Sequence, residues 1–265
     1  MNKRFFVFFL LFISYQSLFS QDAFERIRES GYLKVGILHE PVYPFIYYDQ
    51  NGDLSGFEII RSRGIASFLG VDVQFKRYSH MDEIKIALNN GEIDISFHKR
   101  FRTLSDGLEC FLTLPLAELD MALVINRKAY AALKGHPNKK QSFLDGDFDA
   151  ATMDQESFLR SFTKEFPHLN LAGSEKADVL WNDIITGREV AVYVDESRAI
   201  SLFNENPVLG LTLIYLPLGI SQEVVGLISW RESFFRDWVN IVIEGWGEPR
   251  NMQEILEIIE GETYE

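Results

Sequence analysis

The chain has 265 residues, of which 46% are hydrophobic and 25% are charged, and this composition is typical of a folded globular protein rather than a disordered one. Its length suits one large domain or two ordinary ones. The formal net charge of −13 repels nucleic-acid backbones, and no Lys/Arg cluster offsets that repulsion, so nucleic acid is excluded as a partner. Cys110 is the only cysteine, so no internal disulfide can form and the fold depends on its core.

Residues 1–20 have the pattern of a secretory signal peptide. Lys3 and Arg4 precede an apolar run at 5–13, and the small residue Ser20 precedes the predicted cleavage point. The run is shorter than the ~20 apolar residues that a membrane-spanning helix needs; an uncleaved anchor is the alternative interpretation. We therefore expect a leader that is removed and a mature protein in the periplasm.

Periodicities of two and of 3.6 residues alternate along the rest of the chain. The predicted elements, in chain order, are a strand at 33–38, an extended piece at 45–48, a helix at 57–69 that Gly70 ends, a strand at 71–78, a helix at 81–91, a strand at 92–97, a strand at 148–153, helices at 156–166 and 177–187, strands at 189–194 and 224–229, and helices at 233–245 and 252–260. Strands that alternate with helices of 10–15 residues indicate parallel β-α units, so an α/β fold is predicted.

Short motifs occur in a fixed order along nearly the whole chain after the leader. They are Gly31-x-Leu33-x-Val35-Gly36, Pro44-Phe45, Asn51-Gly52 with Gly56-Phe57-Glu58, Leu69-Gly70-Val71, Asn90-Gly91-Glu92-Ile93-Asp94, Thr103, Pro115, Gly187-Arg188-Glu189 and Tyr193-Val194-Asp195. Their order and spacing resemble extracellular solute-binding protein family 3, the polar amino-acid-binding group of periplasmic proteins.

The resemblance implies a two-lobed periplasmic-binding-protein type II fold with two hinge crossings, near Val124 and near Pro217. Lobe 1 would comprise residues 21–122 plus 218–265, and lobe 2 residues 123–217, with a ligand cleft between them that closes by hinge motion. It also implies a monomer that binds a small polar ligand, and a membrane permease or a sensor as the partner protein. No cofactor and no metal site is expected.

Family members that bind α-amino acids carry Thr-x-x-Arg in one cleft loop, where the Arg holds the ligand carboxylate through a charge-assisted pair. This chain has Thr103 followed by Asp106, an acid at the clamp position. Losing one partner of such a pair costs about 2–5 kcal/mol, so amino-acid binding in the usual pose is not expected. The spacing also fits a capping box, so Asp106 either caps a helix or contacts a ligand.

The residues before Thr103 are larger than their counterparts in relatives. His98, Lys99 and Phe101 would fill part of the cleft. Alternatively, Lys99 or Arg102 would supply the missing positive charge from a neighbouring position, as a point charge rather than a fork. His98 is either a hydrogen-bonded loop histidine or a ligand contact, and no second His or Cys is spaced to form a metal site with it.

Acids occupy further positions that the resemblance assigns to the cleft. Asp195 matches the carboxylate that accepts a ligand ammonium, or else it caps a helix. Asp154 and Glu156 stand where relatives present a helix N-terminus to an anion, so they either cap that helix or fill the anion's place. If these three acids converged with Asp106, a cationic ligand such as an amine would be favoured.

Aromatic residues that sandwich the ligand in relatives also appear altered. Val42 and Met81 lie near those positions, and Tyr43 and Phe45 could take their place. Met81 is alternatively a core residue, because it has helical spacing with apolar neighbours. Three functions follow: a solute-binding protein, a sensory or interaction protein whose lobes no longer close on a ligand, and an enzyme of the dehydratase type that uses a cleft carboxylate as general acid.

Overall fold

The computed structural model describes residues 22–132, 138–153, 155–174, 177–249 and 251–262, so the predicted leader and Asp154 lie outside the described residues. The helices are α1 (Ala23–Ser30), α2 (Phe57–Leu69), α3 (Met81–Asn89), α4 (Leu104–Glu109), α5 (Arg127–Ala131), α6 (Lys139–Leu144), α7 (Glu156–Glu165), α8 (Ala177–Thr186), α9 (Glu196–Glu205), α10 (Ser233–Trp246) and α11 (Met252–Glu262), with a 3-10 helix at Pro207–Leu211. The strands are β1 (Tyr32–Leu38), β2 (Tyr47–Tyr48), β3 (Leu54–Ser55), β4 (Asp72–Tyr78), β5 (Cys110–Asn126), β6 (Ala150–Met153), β7 (Leu171–Ser174), β8 (Ala191–Asp195) and β9 (Leu213–Ser229).

Parallel strand pairs joined by helices form the core of each half. β1 pairs in parallel with β4 across α2, and β6 pairs in parallel with both β7 and β8 across α7 and α8. The larger sheet has the order β7-β6-β8-β5-β9, in which β5 runs antiparallel to both neighbours. The predicted α/β fold is confirmed.

Two long antiparallel strands connect the halves. β5 and β9 have 17 residues each, and their ladder extends from Cys110 opposite Ser229 to Asn126 opposite Leu213, with register shifts along it. β5 pairs with β8 from Met121 onward. The predicted hinge positions fall on these strands, where Ala122 lies opposite Pro217. The lobe boundaries given above stay a prediction.

The segment predicted as a strand at 92–97 forms isolated bridges instead. Ile95 bridges Val35 of β1, and Ser96 bridges Leu227 of β9. Each bridge joins one residue pair, because the chain passes from β1 at Ile95 to β9 at Ser96 before it enters the loop at 98–103. The segment therefore connects β1 with the end of β9, and the loop that follows it lies between the halves.

A glycine fixes the loop that carries Phe45. Gly56 precedes α2 with φ of 119°, and a Cβ there would lie 2.4 Å from the carbonyl oxygen of Phe45. Because L side chains rarely adopt that φ and no side chain fits the gap, a glycine is required. The close approach brings the loop onto α2, where Phe45 and Phe57 pack edge to face with ring centroids 6.0 Å apart.

Among the described residues, no helix is both long and apolar enough to cross a membrane.

Candidate ligand cleft between the lobes

A cavity of about 610 Å³ lies between the two halves, within the range of ordinary small-molecule sites. Its walls include residues that follow β1 and β4, the loop at 98–101, the end of β6 with the residue before α7, and the first turn of α9. These are the carboxyl ends of parallel strands, where α/β proteins bind ligands. Of the predicted site residues, those that line the cavity are Met81, His98, Lys99 and Phe101.

Lys99 forms a buried ion pair with Asp195 across the cleft. Its Nζ lies 2.6 Å from Asp195 Oδ1 and donates to Ser197 Oγ at 2.7 Å. The side chains of Lys99 and Asp195 are 4% and 0% exposed. The ammonium also lies 5.4 Å from the ring centroid of Phe45 and 5.6 Å from that of Phe101, within cation–π range. The resemblance places a ligand ammonium on Asp195, and here the chain supplies that ammonium itself.

Burial and ion pairing have opposite effects on the pKa values of Lys99 and Asp195. Burial lowers the pKa of Lys99 to about 8 despite the attraction of Asp195, so the ammonium is still mostly protonated at neutral pH. Burial alone would raise the pKa of Asp195, but Lys99 and Arg198 hold it below its usual value. Asp195 is also the N-cap of α9, since its Oδ1 accepts from the backbone N–H of Arg198 at 3.3 Å. The capping interpretation is thus confirmed, and a direct ligand contact stays a prediction.

Asp106 has a cationic partner on its own loop. Arg100 grips it with Nε 2.6 Å from Oδ2 and Nη2 3.0 Å from Oδ1, and the Thr103 hydroxyl donates to Oδ2 at 2.6 Å. Burial would raise the pKa of Asp106, but these partners and Lys85 lower it. Thr103 is the N-cap of α4 and accepts from the Asp106 N–H at 3.1 Å. The helix cap predicted from the spacing is confirmed, although Asp106 reaches the hydroxyl of Thr103 rather than its backbone.

The sequence analysis did not identify Arg100 as the cation that pairs with Asp106. Lys99 and Arg102 were expected to replace the clamp arginine, but Lys99 is held by Asp195 and Arg102 forms a half-exposed pair with Glu223. An acid at the clamp position signals that a cation is nearby. Because basic residues stand at 99, 100 and 102, that signal does not say which one pairs with the acid.

The predicted convergence of free carboxylates does not occur among the described residues. Asp106 and Asp195 each have a cationic partner. Glu156 accepts a hydrogen bond from the exposed Ser105 hydroxyl across the cleft, and that bond is the largest of the effects that lower its pKa. The preference for a cationic ligand inferred from these acids is therefore corrected.

His98 and Arg198 present unsatisfied groups at the cavity. His98 is 7% exposed and its Nδ1 has no hydrogen-bond partner among the described residues. Burial, together with Lys99, Arg198 and Arg100, lowers the pKa of His98 to about 3, so the imidazole is neutral. Arg198, which the sequence reasoning missed, lies with Nε 3.5 Å from Asp195 Oδ2, and this Nε has no hydrogen-bond partner within the described part of the chain.

The remaining predicted aromatics lie behind or beside the cavity. Phe45 is fully buried under Lys99, whereas Tyr43 is 46% exposed and packs against Tyr47 with ring centroids 5.2 Å apart. Glu58, at the start of α2, is 1% exposed, and burial raises its pKa well above the usual range, so the neutral acid is favoured. Within the described residues, no group of three or more His, Cys, Asp or Glu side chains could hold a metal ion.

This two-lobed arrangement, with its cleft at the strand ends, is that of a type II periplasmic binding protein. The chain belongs to the bacterial extracellular solute-binding proteins, family 3, whose family model matches residues 33–200. The resemblance stated from the sequence motifs is thereby confirmed. Membership of this extracellular family implies a periplasmic or extracellular location.

Solved structures with the same fold have low sequence identity to this chain. An ancestral amino acid-binding protein described as a precursor of cyclohexadienyl dehydratase is 18% identical, with 85% of this chain and 93% of that chain covered and a TM-score of 0.65. A binding component of an ABC transporter from Wolinella succinogenes complexed with lysine is 19% identical, with 81% and 89% covered and a TM-score of 0.64. At such identities the likeness shows the fold alone.

Curated relatives match a short segment. Membrane-bound lytic murein transglycosylase F of Actinobacillus succinogenes is 38% identical over 73 residues, which are 28% of this chain and 15% of that protein. The same enzyme of Pasteurella multocida is 34% identical over 76 residues, which are 29% of this chain and 15% of that protein. The chain thus spans a small part of these relatives.

Proposed function

We propose that this protein is a periplasmic solute-binding protein that binds a small polar ligand in the cleft between its lobes. The ligand is not a standard α-amino acid held by the usual arginine clamp. The observation that carries this proposal is the Lys99–Asp195 pair at 2.6 Å, because Lys99 already occupies Asp195 Oδ1, an oxygen that a ligand ammonium would need. Asp106 stands in place of the arginine that would bind the carboxylate of an amino acid.

Location and partners follow from the leader and the family. After cleavage at Ser20 the protein is released into the periplasm, where it acts as a monomer. It delivers its ligand to a membrane permease or presents it to a sensor. Exclusion of nucleic acid rests on the net charge of −13.

A thermal-shift screen against amino acids, amines, polyamines, organic acids and sugars tests this proposal. A ligand at a hundred times its Kd adds about 2.7 kcal/mol to the unfolding free energy, or roughly 5–10 °C in a chain of this size. We expect a shift with a compound that is not an α-amino acid. Tight binding of a standard α-amino acid to the unaltered protein would contradict the proposal.

A sensory or interaction protein is the second candidate, and contacts between the lobes favour it. Three direct contacts join the lobes: Lys99 with Asp195, Ser105 with Glu156, and Phe101 with Phe158, whose ring centroids are 5.5 Å apart. Small-angle scattering distinguishes the two: a ligand that changes the radius of gyration supports the binding protein, and binding that leaves the radius unchanged supports the sensor.

Catalysis by a cleft carboxylate has less support. A general acid needs a carboxyl whose pKa is raised toward neutrality. The pKa values of Asp106 and Asp195 are both lowered, so neither holds a proton at pH 7. Incubation with prephenate-like acids is the direct check, and we expect no product.

A further inference from the structure

The charges that line the cleft are positive at its floor. Lys99, Arg100 and Arg198 all line the cavity, whereas their partners Asp106 and Asp195 are fully buried and do not line it. The cations therefore outnumber the carboxylates that neutralise them. Glu58 does not line the cavity, and burial raises its pKa.

The acids that do line the cavity are at its exposed side. Glu40 and Asp178 are exposed, so water and salt screen their charge. Lys99 is almost completely buried, and the side chains of Arg100 and Arg198 are 22% and 23% exposed. A charged ligand that leaves water meets the positive groups where screening is weakest.

Arginine donors are available for an anion. Among the described residues, the Arg198 guanidinium donates no hydrogen bond, and its contact with Asp195 is an ion pair at 3.5 Å. Arg100, which lines the cavity, uses Nε and Nη2 on Asp106, and its Nη1 donates no hydrogen bond among the described residues. The unpartnered Nδ1 of His98, on a side chain that is more than nine-tenths buried, is an independent sign that a polar partner belongs here, since an unmet buried polar group costs about 1–3 kcal/mol.

Part of the remaining wall is apolar, beside the polar residues Ser79, His80 and Gln155. Phe101, Met153 and Phe158 line the cavity and are 4%, 7% and 1% exposed. They offer contact to an uncharged carbon body rather than to a compact inorganic ion. A ligand amine is disfavoured, because Lys99 already occupies Asp195 Oδ1, where the amine would bind.

We propose that the cleft binds a small organic carboxylate that carries no amine, with Arg198 as its principal contact, Arg100 beside it and the apolar wall around its body. Lys99 takes the place of the ammonium that an amino acid would bring. The proposal rests on the proposed function and names the ligand class of the same site.

Three probes that share the isobutyl group of leucine test it: 4-methyl-2-oxopentanoate, leucine and isoamylamine. They carry, respectively, the carboxylate alone, both charged groups and the amine alone; a sugar and inorganic phosphate complete the panel. We expect the oxo acid to raise the melting temperature by roughly 5–10 °C at a hundred times its Kd, and the other probes to leave it unchanged at that concentration.

Titration calorimetry on two variants then assigns the contact. Arg198→Gln should weaken oxo-acid binding by roughly thirtyfold or more, the typical effect of removing one member of a buried charge pair. Arg188→Gln removes a guanidinium from the same lobe whose side chain is 65% exposed and pairs with Asp183, so it should leave affinity unchanged. Equal affinity of Arg198→Gln and the unaltered protein would overturn the assignment.

The panel separates the two proposals. Binding of the sugar or of isoamylamine, but not of the oxo acid, overturns this inference and leaves the proposed function intact. Tighter binding of phosphate than of the oxo acid likewise overturns the choice of a carboxylate. Leucine as the best ligand overturns both. No shift with any probe overturns this inference alone, and the wider screen described above then decides the proposed function.

Discussion

Asp106 and Asp195 are both fully buried carboxylates with a cationic partner, yet the two pairs connect different parts of the molecule. Arg100 lies six residues from Asp106, and their two-pronged pair stays within one loop. Lys99 lies 96 residues from Asp195, and their pair joins the lobes. Neighbouring cations in one loop thus have different consequences: Arg100 stabilises the loop, whereas Lys99 links the halves between which a ligand would enter.

Lys99→Met should have the largest effect. It leaves Asp195 buried, with Arg198 3.5 Å away, and breaking a buried pair typically costs about 3–5 kcal/mol. Urea unfolding should show that loss, and scattering should show a larger radius of gyration. Adding Asp195→Asn removes the unpaired charge and keeps a good helix cap, so most of the loss should be recovered. A loss below about 1 kcal/mol with an unchanged radius would contradict the link between the lobes.

Arg100→Met should cost less and leave the lobes in place. Asp106 would keep the Thr103 hydroxyl at 2.6 Å and Lys85 at 3.7 Å, so we expect a loss of about 2 kcal/mol, typical of hydrogen bonds to a charged group. The radius of gyration should not change. Arg102→Met, which breaks the half-exposed pair with Glu223, is the matched control and should cost less than about 1 kcal/mol. A larger radius in Arg100→Met would show that the pair is not local.

His98→Asn should flatten the dependence of stability on acid pH. His98 titrates at about 3 in the fold against 6.5 in the unfolded chain. Between these values the unfolded state binds the extra proton, so stability falls as pH falls, by about 1.4 kcal/mol per pH unit. Urea unfolding at pH 5.5 and 4.5 should show a difference between variant and unaltered protein of that size. Parallel pH curves would show that His98 is protonated in the folded protein.

Ser105→Ala should have the smallest effect. Its hydroxyl donates to Glu156 across the cleft in a solvent-exposed hydrogen bond, and such contacts contribute little to stability. The melting temperature should hardly change. A loss comparable to that of Lys99→Met would mean that the exposed contact, rather than the buried pair, holds the lobes together.

Local patterns predicted much of the fold. The periodicities of β1 and β4, the helix that Gly70 ends and the cap of α4 at Thr103 all depend on neighbours within four residues, which spacing reveals. β5 was not predicted, because its apolar residues do not alternate regularly and its ladder with β9 changes register along its length. β9 was predicted at its end alone, where the buried run Val224–Ser229 resembles an ordinary strand.

The sequence by itself determined the family, the α/β class and the loss of the clamp arginine, because each is carried by residue identities in a fixed order. Tertiary structure decided which cation faces which acid. Lys99, Arg100 and Arg102 are all basic, so their identities do not distinguish them. Their partners lie 96, 6 and 121 positions away. The pairing follows from the backbone, which buries Lys99 against Phe45 and the end of β8 and leaves Arg102 half exposed at the surface. A buried charge needs a partner far more than an exposed one does, so burial determines the pairing.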